Sequence, residues 1–218
     1  MSEPADKDLY KRVKMYADMV YDKPSAYKSG YIVKKYKELG GKYKGDKPKK
    51  SNLGRWFNEE WKDIGSDSDD DKYPTFRPTK RINKKTPITK CELDKEEMEK
   101  KIEEKQKIKG NKNLQPFVSK EKKEKLEKYS NPTEVFKKAR KYLGADVDIE
   151  ISGRKDKKYM VKNPDGKWIH FGAMGYEDFT KHKDEKRRDN YLKRSKNIKG
   201  NWKDNKYSPN NLSINILW

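Results

Sequence analysis

The stretch KKYMVKNPDGKWIHF, residues 157–171, decides the fold of the C-terminal part of the chain. Its central residues NPDG, 163–166, predict a type I turn, because proline presets φ and Gly166 takes a positive φ without a Cβ penalty. The resulting three-residue loop fixes the register of a β-hairpin. It pairs Lys162 with Trp168, Val161 with Ile169, Met160 with His170 and Tyr159 with Phe171.

The alternation of side chains gives this hairpin two different faces. The apolar face carries Tyr159, Val161, Ile169 and Phe171, and the mixed face carries Met160, Lys162, Trp168 and His170. We therefore expect the first face to lie on a core and the second to lie near solvent.

Two further elements complete a small α+β unit. The sequence NPTE, 131–134, predicts a helix start, with a cap, a proline at the first helical position and an acidic residue, and Gly144 ends the helix. Its buried stripe comprises Val135, Phe136, Ala139, Tyr142 and Leu143. Residues 146–151 alternate, which predicts a strand with Val147, Ile149 and Ile151 inward. The helix, this strand and the hairpin together predict an antiparallel sheet packed on a helix.

The composition predicts more than one folded unit. The chain has 218 residues, of which 31% are hydrophobic and 42% charged, with a mean hydropathy of −1.41. This is too polar for one continuous core. We predict an α+β protein with a helical aromatic and basic module at 1–65, an acidic loop and extended Pro/Lys-rich arm at 66–92, a charged helical linker at 93–130, and the α+β module at 131–218.

The net charge of +20 indicates a polyanionic partner, either nucleic acid or an acidic protein surface. The alternative is a merely soluble, lysine-rich surface. The chain contains no apolar run near the roughly 18 residues that a membrane span needs. Its single cysteine, Cys91, excludes an intramolecular disulfide and a cysteine-based zinc site, and is typical of a reducing compartment.

The N-terminal module is predicted to contain three helices. The first, over 5–21, has the stripe Leu9, Val13, Tyr16 and Val20, widened by Tyr10 and Ala17. The second runs from a cap at Ser25 to Leu39, and its residues Tyr27, Tyr31 and Tyr36 alternate with lysines. This pattern fits a nucleic-acid surface or core tyrosines among lysine stems, and we favour the core. The third places Leu53, Trp56, Phe57 and Trp61 on one face.

The middle of the chain is predicted to be extended or solvated. Residues 41–50 form a basic loop and 65–71 an acidic loop that lacks the EF-hand pattern. Residues 73–89 contain three prolines and no helical or strand period, which predicts an extended arm. Residues 93–129 are lysine and glutamate with Met98 and Ile102 as the firm apolar pair, which favours a solvated spacer over a helix clamped between proteins.

Two segments resemble protein families of giant, nucleocytoplasmic large DNA viruses. The first is carried by PSAYKSGYIVKKYKELGG (24–41), NLGRWFNEEWKDIG (52–65) and residues 73–89, and the second by residues 157–218. Together they cover about 60% of the chain. The resemblance implies a viral context and association with the virion, with synthesis in the host cytoplasm. It implies no catalytic residue.

The C-terminal part combines a basic helix with an apolar end. Asp184 can cap a helix to about Asn197, which carries Arg187, Arg188, Lys193, Arg194 and Lys196 and is followed by Lys199. Such a helix can hold phosphates, or it can be an exposed helix balanced by its own acidic residues. Beyond it, Leu212, Ile214 and Ile216 alternate as in a strand before Trp218. We expect this segment to insert into its own domain or into a partner, and self-insertion is favoured.

The sequence carries few groups for catalysis. Asp178, His182 and Asp184 could form a metal or acid–base cluster, but the common hydrolase, zinc and phosphate-loop motifs are absent from the sequence. We expect no enzyme activity, no metal site and no cofactor.

Two functions remain at this point. The first is a minor capsid or internal cement protein that bridges the major capsid protein or other virion proteins; its anchors would be Tyr73, Phe76, Leu212, Ile214, Ile216 and Trp218. The second is a nucleic-acid-binding protein in viral DNA packaging or transcription. Its polyanion-binding residues would be Lys42, Lys44, Lys49, Lys50, Arg77, Lys80, Arg81, Arg187, Arg188, Lys193, Arg194, Lys196 and Lys199. The interleaved acidic residues and the excess of lysine over arginine favour the first function.

Overall fold

A computed structural model describes residues 3–21, 24, 26–45, 52–65, 73–109 and 112–218. It combines helices with small antiparallel sheets, which confirms the predicted α+β class. The chain divides into two compact units. Unit 1 comprises Met1–Asp63 and Phe76–Thr89, and unit 2 comprises Ile64–Thr75 and Lys90–Trp218. Across the ranges that the structure describes, no helix is long and apolar enough to cross a membrane.

Some predicted features lie outside the described residues. They are the cap at Ser25, the side chain of Leu53, the lysines Lys49 and Lys50, and the acidic loop at 66–71.

Unit 1 is built on two helices, α1 (Lys7–Val20) and α2 (Ala26–Glu38). Their core contains Val13, Ala17, Ile32 and Tyr36, with Leu9 and Tyr10 packed against it. The predicted stripe of α1 is wrong in its second half, where Tyr16 and Val20 are about half exposed. The buried line instead runs through Val13 and Ala17, four residues apart, while the half-exposed Tyr16 stacks on Tyr31 of α2 with ring centroids 6.4 Å apart.

Tyr36 connects the start of helix α1 with the segment that follows helix α2. Its ring is fully buried, and its hydroxyl accepts a hydrogen bond from the Asp6 amide and donates one to the Lys42 carbonyl, both at 3.0 Å. Close by, the short strands β1 (Glu3–Pro4) and β2 (Tyr43–Lys44) pair antiparallel. The core interpretation of this tyrosine is confirmed.

The third helix is shorter than predicted. Helix α3 spans Asn52–Asn58, and Trp61 begins strand β3 (Trp61–Asp63) instead of continuing the helix. The helix cannot extend because Glu60 takes a positive φ of 48°. The rings of Trp56 and Trp61 nevertheless stack, with centroids 6.1 Å apart, and both meet the ring of Tyr27 edge-on.

The predicted extended arm is folded into unit 1 over residues 76–89. Strand β4 (Phe76–Pro78) pairs antiparallel with β3, and Thr86 and Thr89 are buried. Proline is compatible with this strand because Pro78 is its last residue, in a sheet of only two strands. The extended-arm prediction is therefore wrong for this segment.

Two predicted binding residues are used inside this fold. The Phe76 ring stacks on Tyr27 at 4.5 Å. The Arg77 guanidinium donates to the Ile88 carbonyl and lies 6.0 Å from the Trp61 ring centre, and Arg77 is only 9% exposed. The roles of Phe76 as a partner anchor and of Arg77 as a polyanion contact are thus corrected, since unit 1 itself occupies both side chains.

Unit 2 contains the predicted helix and three-stranded sheet. Helix α6 spans Pro132–Leu143, and the strands are β5 (Ile149–Ile151), β6 (Lys157–Lys162) and β7 (Trp168–Ala173) in the order β5-β6-β7. All four predicted hairpin pairs occur in the β6–β7 register. In the turn, the Gly166 amide donates to the Asn163 carbonyl at 2.9 Å, and its φ is +77°.

The two faces of the hairpin are less different than expected. Tyr159, Val161 and Phe171 are fully buried against α6, as predicted. On the other face Met160 is also fully buried and Lys158 is 2% exposed. The prediction of a solvent-facing second side is therefore wrong at Lys158 and Met160, whereas Lys162, on the same face of β6, is exposed as expected.

The predicted solvated spacer is packed. It comprises a 3-10 turn (Lys90–Glu92), helix α4 (Lys95–Ile108) and helix α5 (Lys120–Tyr129), whose Leu126 belongs to the core of unit 2. On α4 the buried residues are Glu97 and Lys101 rather than the predicted apolar pair. Glu97 accepts from the Val118 amide at 2.9 Å, and Lys101 pairs with Glu104 at 2.8 Å.

The C-terminal segment is helical, so the predicted strand is wrong. After α7 (Phe179–His182) and α8 (Glu185–Lys196), helix α9 (Pro209–Leu212) continues into a π-helical turn (Ser213–Leu217). Ser208 caps α9, and proline follows at the first helical position.

This helical end inserts into its own unit. Leu212 and Ile216, four residues apart, lie fully buried in the core of unit 2. Their assignment as partner anchors is therefore corrected, while Ile214 and Trp218 are half-buried. Tyr73 remains 40% exposed, with its backbone bonded to Gln106.

The positive φ of Gly166 can be tested by substitution. Gly166→Val should lower the free energy of unfolding of the full chain by about 1 kcal/mol or more, because a β-branched residue resists the left-handed conformation. Gly166→Asn should lose less, since asparagine tolerates this region. Urea unfolding that gives equal midpoints for valine and wild type would contradict the turn assignment.

Candidate functional site

A buried ion pair lies at the base of the candidate site in unit 2. Lys158 on β6 and Asp178, which caps α7, are 2% and 1% exposed. The Lys158 Nζ is 2.7 Å from the Asp178 Oδ2 and also donates to the Tyr129 carbonyl at 3.0 Å. The pair thereby fixes strand β6, the end of helix α5 and the start of helix α7 to one another.

Hydroxyl groups satisfy the remaining oxygens of this carboxylate. Ser130 donates to Asp178 Oδ2 at 2.7 Å and accepts from the Tyr159 hydroxyl at 2.9 Å. Thr180 donates to Asp178 Oδ1 through both its hydroxyl and its amide. A buried charge needs this degree of hydrogen bonding to be tolerated.

The buried setting changes the titration of two of these groups. Burial lowers the pKa of Lys158 from its ordinary value, and the Asp178 carboxylate opposes that shift. Burial likewise raises the pKa of the Tyr159 hydroxyl. The Lys158 ammonium group therefore interacts with Asp178 and the Tyr129 carbonyl and is shielded from solvent.

Above this pair lies a cleft, here called the α8 cleft, with a volume of about 580 Å³. Its walls come from β7, the loop after β7, helix α8 and the C-terminal turn. They comprise Lys158, Gly172, Ala173, Tyr176, Glu177, Asp178, Arg187, Asn190, Tyr191, Arg194, Ser213, Leu217 and Trp218.

Helix α8 contributes to the cleft through one of its faces. Asp184 caps the helix by accepting from the Arg187 amide at 3.0 Å, as predicted. Arg187, Asn190, Tyr191 and Arg194 are spaced at three and four residues, so they share a face. A second face turns into the unit, where Ser195 is buried. Lys193 and Lys196 are exposed on the outer side.

The cations of α8 fall into two groups. In the first turns, Arg187 pairs with Glu177 at 3.0 Å and Arg188 pairs with Glu185 at 3.2 Å. In the last turns, Lys193, Arg194 and Lys196 form no ion pair with any residue that the structure describes. Lys186, in the first turn, is exposed and also has no ion pair with a described residue, so three of the four unpaired cations of α8 lie at its C-terminal end.

Trp218 forms part of the floor of the cleft. Its ring lies parallel to Tyr191 at 4.0 Å, and its carbonyl oxygen accepts from Arg188 Nε at 2.7 Å. The Arg188 guanidinium also lies 4.8 Å from the Phe179 ring centre. Arg188 is therefore a structural residue in this fold, and its predicted role in polyanion binding is corrected.

The other predicted cations lie elsewhere. Lys42 and Lys44 are exposed in unit 1, Lys80 pairs with Glu60, and Arg81 donates to the Thr86 carbonyl at 3.1 Å. Lys199 is exposed in unit 2 just after α8.

The three residues considered above as a possible metal or acid–base cluster, Asp178, His182 and Asp184, are used in other interactions. Asp178 is committed to Lys158, and the His182 Nδ1 accepts from the Asp184 amide at 2.9 Å. Burial and the nearby Arg187 lower the pKa of His182 from its ordinary value. Among the described residues, no group of three or more His, Cys, Asp or Glu side chains could hold a metal ion.

Sequence reasoning missed Lys158, Tyr176 and Asn190. Lys158 directly precedes Tyr159 in sequence, in a chain with many exposed lysines, so no local sequence pattern indicates that it is buried. Tyr176 follows Gly175, whose φ of +94° places a turn there. That glycine was the available signal for an exposed ring.

Two family comparisons match the chain. A model of a family of unknown function, DUF5872, matches residues 4–114, just over half of the chain. The chain belongs to this family. In this DUF5872 member, residues 147–195 also match a second family of unknown function, DUF5754. The two matches overlap the two segments for which a resemblance is described above.

The second match contains most of the candidate site of this DUF5872 member. Lys158, Asp178, Arg187 and Arg194 fall within residues 147–195, whereas Trp218 falls outside them. No curated protein and no solved structure matches the chain.

The buried ion pair of this DUF5872 member gives a testable consequence. Lys158→Met should lower the free energy of unfolding by about 3–5 kcal/mol, because it leaves the Asp178 carboxylate buried without a counter-charge. A Lys158→Met/Asp178→Leu double variant should recover part of this loss, since it removes both charges. Urea unfolding of the full chain measures both, and a single variant as stable as wild type would contradict the assignment.

Proposed function

We propose that the protein is a non-enzymatic nucleic-acid-binding protein that contacts phosphate groups through helix α8. The observation that carries the proposal is the separation of charge along this helix. Its acidic residues lie in the first two turns, where Asp184 caps the helix and Glu185 pairs with Arg188. Its last turns carry Lys193, Arg194 and Lys196 without an ion pair to a described residue.

The alternative of a helix balanced by its own acidic residues receives less support. Balance would require the carboxylates to pair with the C-terminal cations. Asp189 lies four residues before Lys193, within reach of an ion pair, but the two form none in the structure. Cations in the last turn of a helix also stabilise it through the helix dipole. Removing them would therefore lower stability under either interpretation, so stability measurements alone do not separate the two. A binding measurement does.

Counterion release provides that measurement. Lys193→Gln/Lys196→Gln should flatten the slope of log K against log salt by about 1.4 on single-stranded DNA or about 1.8 on a duplex, if each lysine contacts one phosphate. Lys155→Gln/Lys167→Gln removes the same charge from exposed positions outside α8 and should leave the slope nearly unchanged. Fluorescence anisotropy over a salt series on the full chain gives all three slopes.

Equal slopes for the two double variants would contradict a site on α8. The absence of binding by wild type at low salt would contradict nucleic-acid binding altogether. Magnesium-dependent cleavage of the probe that His182→Ala abolishes would contradict the non-enzymatic part of the proposal.

A second candidate function is that of a virion component that contacts the major capsid protein or another virion protein of a large DNA virus. The viral context comes from the sequence resemblance described above. One structural observation supports a protein contact: helix α1 exposes Met15, Tyr16, Met19 and Val20 side by side, and Met19 is 82% exposed. Contiguous exposed apolar residues are typical of interaction surfaces.

This candidate is tested on purified particles. Met15→Gln/Met19→Gln should reduce the amount of the chain per major capsid protein, because it removes the apolar contact. The control Ile198→Gln changes an exposed apolar residue of unit 2 and should be incorporated like wild type. Normal incorporation of both variants would exclude α1 as the contact.

A further inference from the structure

We propose that the α8 cleft binds a single strand of nucleic acid, with a base stacked on the ring of Tyr176 and a phosphate held by Arg194. This inference rests on the proposed function and specifies the class of nucleic acid and the residues that select it.

The ring of Tyr176 is the first observation. It lines the cleft and is 74% exposed. It forms no ring stacking and no hydrogen bond with the part of the chain that the structure describes. The other two aromatic residues of the cleft, Tyr191 and Trp218, are already stacked on each other. Tyr176 is therefore the ring that can accept a base on its face.

The charge of the cleft is the second observation. Of its two carboxylates, Asp178 is buried against Lys158 and Glu177 is bonded to Arg187. Arg194 has no ion pair among the described residues, and its guanidinium lies 5.5 Å from the ring centre of Tyr191. A guanidinium placed on an aromatic ring keeps its outer donors available for a phosphate, which it can bind through two parallel hydrogen bonds.

The arrangement along helix α8 is the third observation. Arg187 and Arg194 are seven residues apart, which separates them by about 10 Å along the helix axis. Asn190 lies between them on the same face and is an exposed residue. An amide can both donate to and accept from the edge of a base. Arg187 is paired with Glu177, so the cleft offers a phosphate donor at Arg194 and a base-edge partner at Asn190, about one turn before it.

The shape of the cleft favours a single strand over a duplex. Its volume of about 580 Å³ is within the usual range of sites for small ligands, so it admits a nucleotide and not a double helix. A protein ring can stack on a base only when that base has left the stack of its own strand, as in single-stranded segments. Duplex binding would instead use the outer lysines of α8.

The experiment compares two probes on the full chain: fluorescein-labelled oligo-dT of 12 nucleotides and a labelled 12-base-pair duplex. Tyr176→Ala should weaken binding of the single strand roughly 10-fold, which lies within the range of base stacking on an aromatic side chain. Tyr176→Phe retains the ring and should stay within about twofold of wild type. Duplex binding should change less than twofold for both variants.

A matched pair of charge variants tests the phosphate contact. Arg194→Gln should lower the salt slope for the single strand by about 0.7. Arg154→Gln removes an exposed arginine of unit 2 that does not line the cleft and should not change the slope.

The outcomes separate this inference from the proposed function. Equal affinity for duplex and single strand, together with unchanged binding by Tyr176→Ala, overturns the single-strand inference and leaves nucleic-acid binding by α8 in place. Failure of wild type to bind either probe overturns both.

Discussion

The structure of unit 2 depends on one buried ion pair. Lys158 and Asp178 lie on β6 and before α7, and their 2.7 Å contact joins parts of the chain that are 20 residues apart. Buried pairs of this kind contribute little net stability compared with apolar packing, but removing one partner is costly. Here the pair fixes the position of the loop after β7 and of α7. That loop carries Tyr176 and Glu177, so the pair also determines the wall of the α8 cleft opposite to the helix.

The elements with strong local signals were predicted well. The register of the β6–β7 hairpin follows from the turn residues at 163–166, because the φ values of proline and glycine leave few ways to close the loop. Helix α6 follows from its cap, its proline and a regular apolar stripe. Helix α8 follows from Asp184. In each case the residues that decide the structure are neighbours in sequence.

The failures share a different physical cause. The folding of Phe76–Pro78 into a strand depends on pairing with β3, and the burial of Glu97 and Lys101 depends on distant partners such as the Val118 amide. Alternation at 212–216 predicts a strand, but the cap at Ser208 and the core position of Leu212 favour a helix. Of the candidate site, the basic face of α8 could be predicted, whereas the contribution of Lys158 and Tyr176 required the fold.

The central claim is that the open face of α8 and the loop facing it form the nucleic-acid site. Its most direct test is a titration of the ¹⁵N-labelled full chain with oligo-dT, followed by amide chemical shifts. The account predicts shift changes in residues 173–177, in α8 and in the indole of Trp218, while amides of unit 1 stay constant. Changes confined to unit 1, with the α8 amides unperturbed at saturation, would contradict it.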